Sequence, residues 1–210
     1  MSDAPLKLPP VIPVAVVENA ADAVPLAKAL IAGGLPVVEV TFRTPAAADA
    51  IRAIRAEAPD ALVLAGTVLT TDQAVQAIEA GAQGAVSPGT NPEVVTVFQE
   101  RSVPFMPGVA TPTEIERAIG LGCKRLKFFP AGVLGGPAAL KGISAPFAHL
   151  GIEYCPTGGV AESDLAAYHA VPGVVAVGGS WIATRDDITS HRWDDITRKA
   201  ASAVSAATGR

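Results

Sequence analysis

Cysteine is scarce, with Cys123 and Cys155 the two in 210 residues. Each falls in or beside an apolar run that reads as a buried strand. Free buried thiols in a reducing cytosol are therefore expected, not a structural disulfide. Aromatic residues make up only 5% of a chain that is 50% hydrophobic. Alanine and valine must then supply much of the core, which suits tightly packed helices on a buried sheet. No block of Lys/Arg occurs and the net charge is −4, which argues against nucleic acid or an anionic membrane as partner. No apolar run reaches ~18 residues without a charge or a turn signal, so no membrane span is expected. The opening MSDAPLKLPP lacks the basic stretch and apolar core of an export signal. His149, His169 and His191 stand apart from one another and from acidic clusters, so nothing in the spacing predicts a metal site.

What is present is a repeated sentence: short apolar run, polar turn, alanine-rich helix, glycine, next apolar run. The runs are 11–17, 37–42, 62–68, 84–88, 105–109, 125–130, 154–157 and 174–177. Several are apolar on both parities, as strands covered on both faces must be. Thr44-Pro45 reads as an N-cap followed by proline at the first helical position. Thr70-Thr71-Asp72-Gln73 and Thr111-Pro112-Thr113-Glu114 read as capping boxes, and Asn91-Pro92 opens another helix. Ala47, Ile51 and Ile54 share one helical face, with Arg52 and Arg55 on the other. A last helix over roughly 190–207 carries Trp193, Ile196 and Ala200 as a core stripe. Eight βα units in one domain spanning 1–210 match an α/β fold, a (β/α)8 TIM barrel. A doubly wound open sheet is the alternative, but it seldom has eight short, evenly spaced strands with no charged edge.

In such a barrel, reactive groups gather at the carboxyl ends of the strands. Lys127 sits in the middle of Arg125-Leu126-Lys127-Phe128-Phe129-Pro130, and Glu39 within Val37-Val38-Glu39-Val40-Thr41-Phe42-Arg43. A buried lysine loses hydration, which disfavours its ammonium form, and a neutral amine in a dry pocket attacks carbonyl carbon. Alternation puts Glu39, Thr41 and Arg43 on one side of their strand, leaving Val38, Val40 and Phe42 for the helices. It puts Lys127 with Phe129, and Thr67 with Val63 and Ala65. Taken alone, Lys127 and Glu39 fit a structural ion pair equally well, Thr67 a strand filler and Arg43 a solvated strand end. Their convergence favours function, because a buried charge pair is costly and an apolar pair is often as stable. Thr157-Gly158-Gly159 and Gly178-Gly179-Ser180 end the last two strands. Glycine pairs there expose backbone N–H groups to an anion, at the usual phosphate position of this fold.

These segments together resemble the 2-keto-3-deoxy-6-phosphogluconate (KDPG) and 2-keto-4-hydroxyglutarate (KHG) aldolases. The resemblance runs through Ala32-Gly33-Gly34, Val38-Glu39-Val40-Thr41 with Arg43-Thr44, Ala65-Gly66-Thr67-Val68-Leu69, Ser87-Pro88-Gly89 and Pro107-Gly108. It continues through Lys127-Phe128-Phe129-Pro130-Ala131, Cys155-Pro156-Thr157-Gly158-Gly159 and Gly178-Gly179-Ser180-Trp181. It implies a class I aldolase, a homotrimer and a small phosphorylated 2-keto acid as substrate, with no metal or organic cofactor. By position it implies Lys127 as the Schiff-base lysine and Glu39 as general acid/base. Arg43 and Thr67 would hold the pyruvyl carboxylate, Pro88 would line the pocket and Phe129 would pack beside the imine. Gly158, Gly159, Gly179 and Ser180 would receive the phosphate. Two departures stand out. Gly132-Val133-Leu134-Gly135-Gly136 replaces a stretch where many members carry glutamate, and this loop borders the substrate mouth. Phe42 replaces a commoner leucine on the helix-facing side. The rival readings are a sister aldolase for the galactonate epimer, a phosphate-binding isomerase or epimerase, and a non-catalytic trimeric barrel used as an assembly subunit.

Overall fold

A computed structural model describes residues 6–209. The first five residues of the opening segment, and the ends of the expected 1–210 domain, lie outside the described residues. The chain alternates strand and helix: β1 (Val11–Ala15), α1 (Ala23–Ala32), β2 (Val37–Thr41), α2 (Ala47–Glu57), β3 (Leu62–Gly66), α3 (Thr71–Glu79), β4 (Gly84–Val86), α4 (Pro92–Glu100), β5 (Phe105–Met106), β6 (Gly108–Val109), α5 (Pro112–Gly120), β7 (Arg125–Phe128), α6 (Gly136–Ser144), β8 (Glu153–Pro156), α7 (Leu165–His169), β9 (Val177–Gly179), α8 (Arg185–Thr189) and α9 (Trp193–Thr208).

All the strand pairs are parallel, in the orders β5-β4-β3-β2-β1-β9 and β6-β7-β8. The architecture is thus a curled parallel α/β sheet in two ladders, and not the single continuous eight-stranded ring expected. The expected run 105–109 is split at Pro107, which has no N–H to donate; its carbonyl still accepts from Lys127 N at 2.9 Å. Between β8 and β9 the pairing reduces to two isolated bridges, Tyr154 with Val174 and Thr157 with Gly178. The last strand lies at 177–179, displaced from the expected 174–177.

Alternation sorts the side chains into two populations. Ile12, Val37, Leu64, Val86, Met106, Cys155 and Ala176 form a small cluster inside the curl. Val38, Val40, Val63, Ala65, Leu126 and Phe128 join the larger core shared with the helices, to which Phe42 also packs. That core is rich in alanine, as the composition requires, and Ala47, Ile51, Ile54, Ile196 and Ala200 are buried in it. Asn91, Thr70 and Thr111 cap their helices by accepting from Glu93, Gln73 and Glu114 N–H groups. The Thr111–Glu114 box is reciprocal, whereas Gln73 accepts from Leu69 N and not from the cap residue. Thr44 does not cap α2: its hydroxyl donates to the Val17 carbonyl, and the helix begins at Ala47.

Candidate active site

At the carboxyl ends of the strands lies a cavity of about 230 Å3, lined by Glu39, Arg43, Thr67, Pro88, Lys127, Phe129, Gly158, Gly159 and Ser180 among others. Nine of the ten expected site residues therefore meet in one space. The tenth, Gly179, does not line it. A Cβ on Gly179 would collide with the Trp181 ring, so this glycine makes room for that ring beneath the loop.

The floor is an ion pair. Lys127 Nζ stands 3.1 Å from Glu39 Oε1, and their side chains are 6% and 4% exposed. β2 supplies Glu39 and β7 supplies Lys127 on the inward parity, and burial leaves each charge dependent on the other. Phe129, two residues beyond Lys127, sets its ring centroid 5.6 Å from Nζ and walls the amine on one side. Cys155 pairs with Lys127 across the ladder. Burial pushes its thiol up to about 11, Lys127 pulling the other way, so it stays protonated and packs as an apolar neighbour.

Thr67 reaches the cavity by a route that alternation does not predict. Val63 and Ala65 face the helices, and strict alternation would send Thr67 with them. β3 ends at Gly66, and Thr67 adopts a left-handed φ of 56°, an uncommon conformation for a β-branched residue, which turns it inward. Arg43 is exposed at the mouth and has no carboxylate partner among the described residues. Gly158 and Gly159 have φ of 89° and 69°, both left-handed, and a Cβ on Gly158 would lie 2.7 Å from Phe129 Cε2. Gly158 thus allows the loop to lie close over the Phe129 ring, while Gly159 faces the Gly132–Val133 backbone.

Pro88 is held in the wall by a clamp on its loop. Gly108 N donates to Gly89 O at 3.1 Å, and Thr90 Oγ1 donates to Gly108 O at 2.9 Å. The loop after β7 is tied to the diglycine turn, with Gly132 N donating to Gly158 O at 2.8 Å. Its tip, Val133, is 82% exposed.

A larger cavity of about 310 Å3 opens at the other end of the strands, lined by Leu6, Leu64, Met106, Arg125 and Glu153 among others. Arg125 and Glu153 pair there at 2.6 Å and are only partly buried, unlike Lys127 and Glu39.

The family model for KDPG and KHG aldolase matches residues 3–199. The chain belongs to that family. It is 50% identical over 187 residues to the 2-dehydro-3-deoxy-phosphogluconate aldolase of Treponema pallidum, covering 89% of this chain and 88% of that one. It is 44% identical over 198 residues to the KHG/KDPG aldolase of Escherichia coli K12, covering 94% and 92%. A crystal structure of the Legionella pneumophila KDPG aldolase, with pyruvate captured as a covalent carbinolamine, superposes with a TM-score of 0.88 at 42% identity, covering 93% and 94%.

Val14, Thr41, Thr157, Val160 and Gly178 also line this cavity, and none of them was among the expected site residues. Thr157 and Gly178 had a legible signal, because each lies two positions beyond an inward residue, Cys155 and Ala176. Thr41 shares the parity of Glu39, but its hydroxyl is committed to the Ala15 carbonyl at 3.0 Å. No group of three or more His, Cys, Asp or Glu among the described residues could hold a metal ion.

Proposed function

We propose that the chain is a class I aldolase that cleaves KDPG to pyruvate and glyceraldehyde 3-phosphate, and KHG to pyruvate and glyoxylate. The observation that carries this reading is the buried Lys127–Glu39 pair on the floor of a cavity rimmed by Arg43 and the Gly158–Gly159 and Ser180 loops.

Lys127 gives its proton to Glu39 and attacks the C2 ketone as a neutral amine. Glu39 returns that proton to the carbinolamine hydroxyl, which leaves as water, so that a protonated imine and a Glu39 carboxylate remain. The imine draws in the C3–C4 bonding pair once the C4 hydroxyl surrenders its proton to Glu39. The aldehyde departs and the pyruvate enamine remains. Glu39 returns the proton to the enamine carbon, and water releases pyruvate and the amine. General acid–base help of this kind contributes about 10²–10⁴-fold. Every step uses side chains and water, so the chemistry calls for no cofactor. Arg43 takes the pyruvyl carboxylate through its planar fork, with Thr67 beside it. Phe129 and Pro88 pack against the imine. Gly158, Gly159 and Ser180 receive the phosphate with backbone N–H groups and a hydroxyl, and Gly179 supports that loop by seating Trp181.

We further take 1–210 as one domain whose two ladders complete a (β/α)8 barrel. Support comes from the Thr157–Gly178 bridge on one side of the gap and the Pro107 carbonyl on the other. A homotrimer follows the family resemblance. A reducing cytoplasm suits the two free buried thiols.

The test is release of pyruvate from KDPG, from its C4 epimer and from KHG. The expected result is fastest turnover of KDPG, with KHG slower because it brings no phosphate to the loops. Preferential cleavage of the epimer would reassign the substrate, and no release from any of them would overturn the activity.

A further inference from the structure

Gly66 ends β3 on the inward parity, facing Thr41 across the ladder and one inward step above Leu64, which faces Glu39. The Glu39 side chain climbs from its own strand and lies over the Gly66 α-carbon. A Cβ built there would stand 2.6 Å from Glu39 Cγ and 2.8 Å from Cδ, with Oε1 closer still. These three nearest atoms all belong to Glu39, and Oε1 is also the oxygen 3.1 Å from Lys127 Nζ. Gly66 lies outside the left-handed φ region, so its backbone asks nothing of glycine. The requirement is for space alone.

We propose that Gly66 is a positioning residue for Glu39, its missing side chain being the seat that holds the carboxylate against Lys127. This rests on the aldolase reading, in which Glu39 moves the proton. The obstacle created by a methyl group at 66 is the end of a flexible side chain and not backbone. The strand therefore accepts the methyl group and the carboxylate gives way. What is lost is the alignment of Oε1 with the amine and the substrate, and not the fold.

The experiment pairs Gly66→Ala with Glu39→Asp, which withdraws one methylene from the contested space. Each variant and the wild type is read for KDPG turnover and for borohydride-trapped pyruvate on Lys127. Gly66→Ala should lower kcat on the order of 10²-fold while trapping continues, as expected when proton transfer is impaired and the amine survives. Glu39→Asp should lower kcat in the wild-type background and raise it in the Gly66→Ala background. That reversal of sign is something a merely structural role for Gly66 does not produce. Wild-type kcat in Gly66→Ala, or a loss in the double variant equal to the sum of the single losses, would overturn the proposal. Should Gly66→Ala fail to fold, Gly66→Ala/Glu39→Ala decides: recovered folding supports the clash with Glu39, and continued failure overturns it. Absence of trapped pyruvate on wild-type Lys127 would instead overturn the aldolase reading on which this one stands.

Discussion

At the residue scale, the proposed chemistry supplies a reason for the fold to keep a costly pair. Lys127 and Glu39 are both almost fully buried, and each is the other's compensation. Glu39→Gln removes the proton acceptor but keeps the shape and a hydrogen-bonding carbonyl. Turnover should fall on the order of 10²-fold, with imine formation on Lys127 still detectable by trapping. Loss of trapping would mean that Glu39 acts mainly on the lysine. Lys127 and Glu39 were legible in the sequence because a charge inside an apolar strand is conspicuous. Thr67 was legible as a member of the site but not for the reason it gets there, since a single left-handed φ leaves no trace in the periodicity. Gly179 read as a ligand for phosphate, yet Trp181 two residues later claims its space. A glycine pair announces that something comes close without saying from which side.

At the scale of elements, capping chemistry was readable where the cap and its partner lie within one turn. Thr111 and Glu114 satisfy each other's backbone N–H groups, and Ala110 N also donates to Glu114 Oε2 at 2.7 Å. Thr111→Ala should cost about 1 kcal/mol and lower Tm by about 2–4 °C in a chain of this size, with turnover unchanged because α5 does not reach the cavity. Thr44 has the same local signature but finds a partner 27 residues away in sequence, the Val17 carbonyl, so the local reading failed. The last strand was misplaced for a related reason. Its apolar run, 174–177, drew the assignment, whereas the ladder continues through Gly178 and Gly179, whose composition reads as loop. The break at Pro107 lies inside an apolar run, and only the missing N–H betrays it.

At the scale of the molecule, the closing helices are locked by a buried carboxylate that was not foreseen. Asp187 in α8 accepts from Lys199 Nζ at 2.6 Å, from Arg192 Nε at 3.1 Å and from Thr184 Oγ1 at 2.6 Å. Burial alone would push its carboxyl up, but Lys199, Thr184 and Arg192 together outweigh it and hold the group well below its ordinary 3.8. A depressed folded value gives stability that is fully present above 3.8 and lost as pH falls toward the folded value. Asp187→Asn should therefore destabilise the protein by about 1–3 kcal/mol at neutral pH in urea titrations. The gap to wild type should close progressively below about pH 4, as the unfolded wild-type carboxyl takes up a proton that the folded one still resists. A gap that does not change with pH would show that the contribution is packing and not charge. The general architecture was legible because each unit repeats the same burial pattern. This lock was not, because α8 and α9 bring Asp187, Arg192 and Lys199 together only after the chain has turned.

The most direct test of the account is incubation of the folded protein with pyruvate and borohydride, followed by peptide mass mapping. A reduced pyruvyl adduct on Lys127, and its loss in Lys127→Ala, is the predicted result. Protein that is folded yet carries no adduct, or carries it on another lysine, would contradict the claim that the buried amine of β7 is the nucleophile.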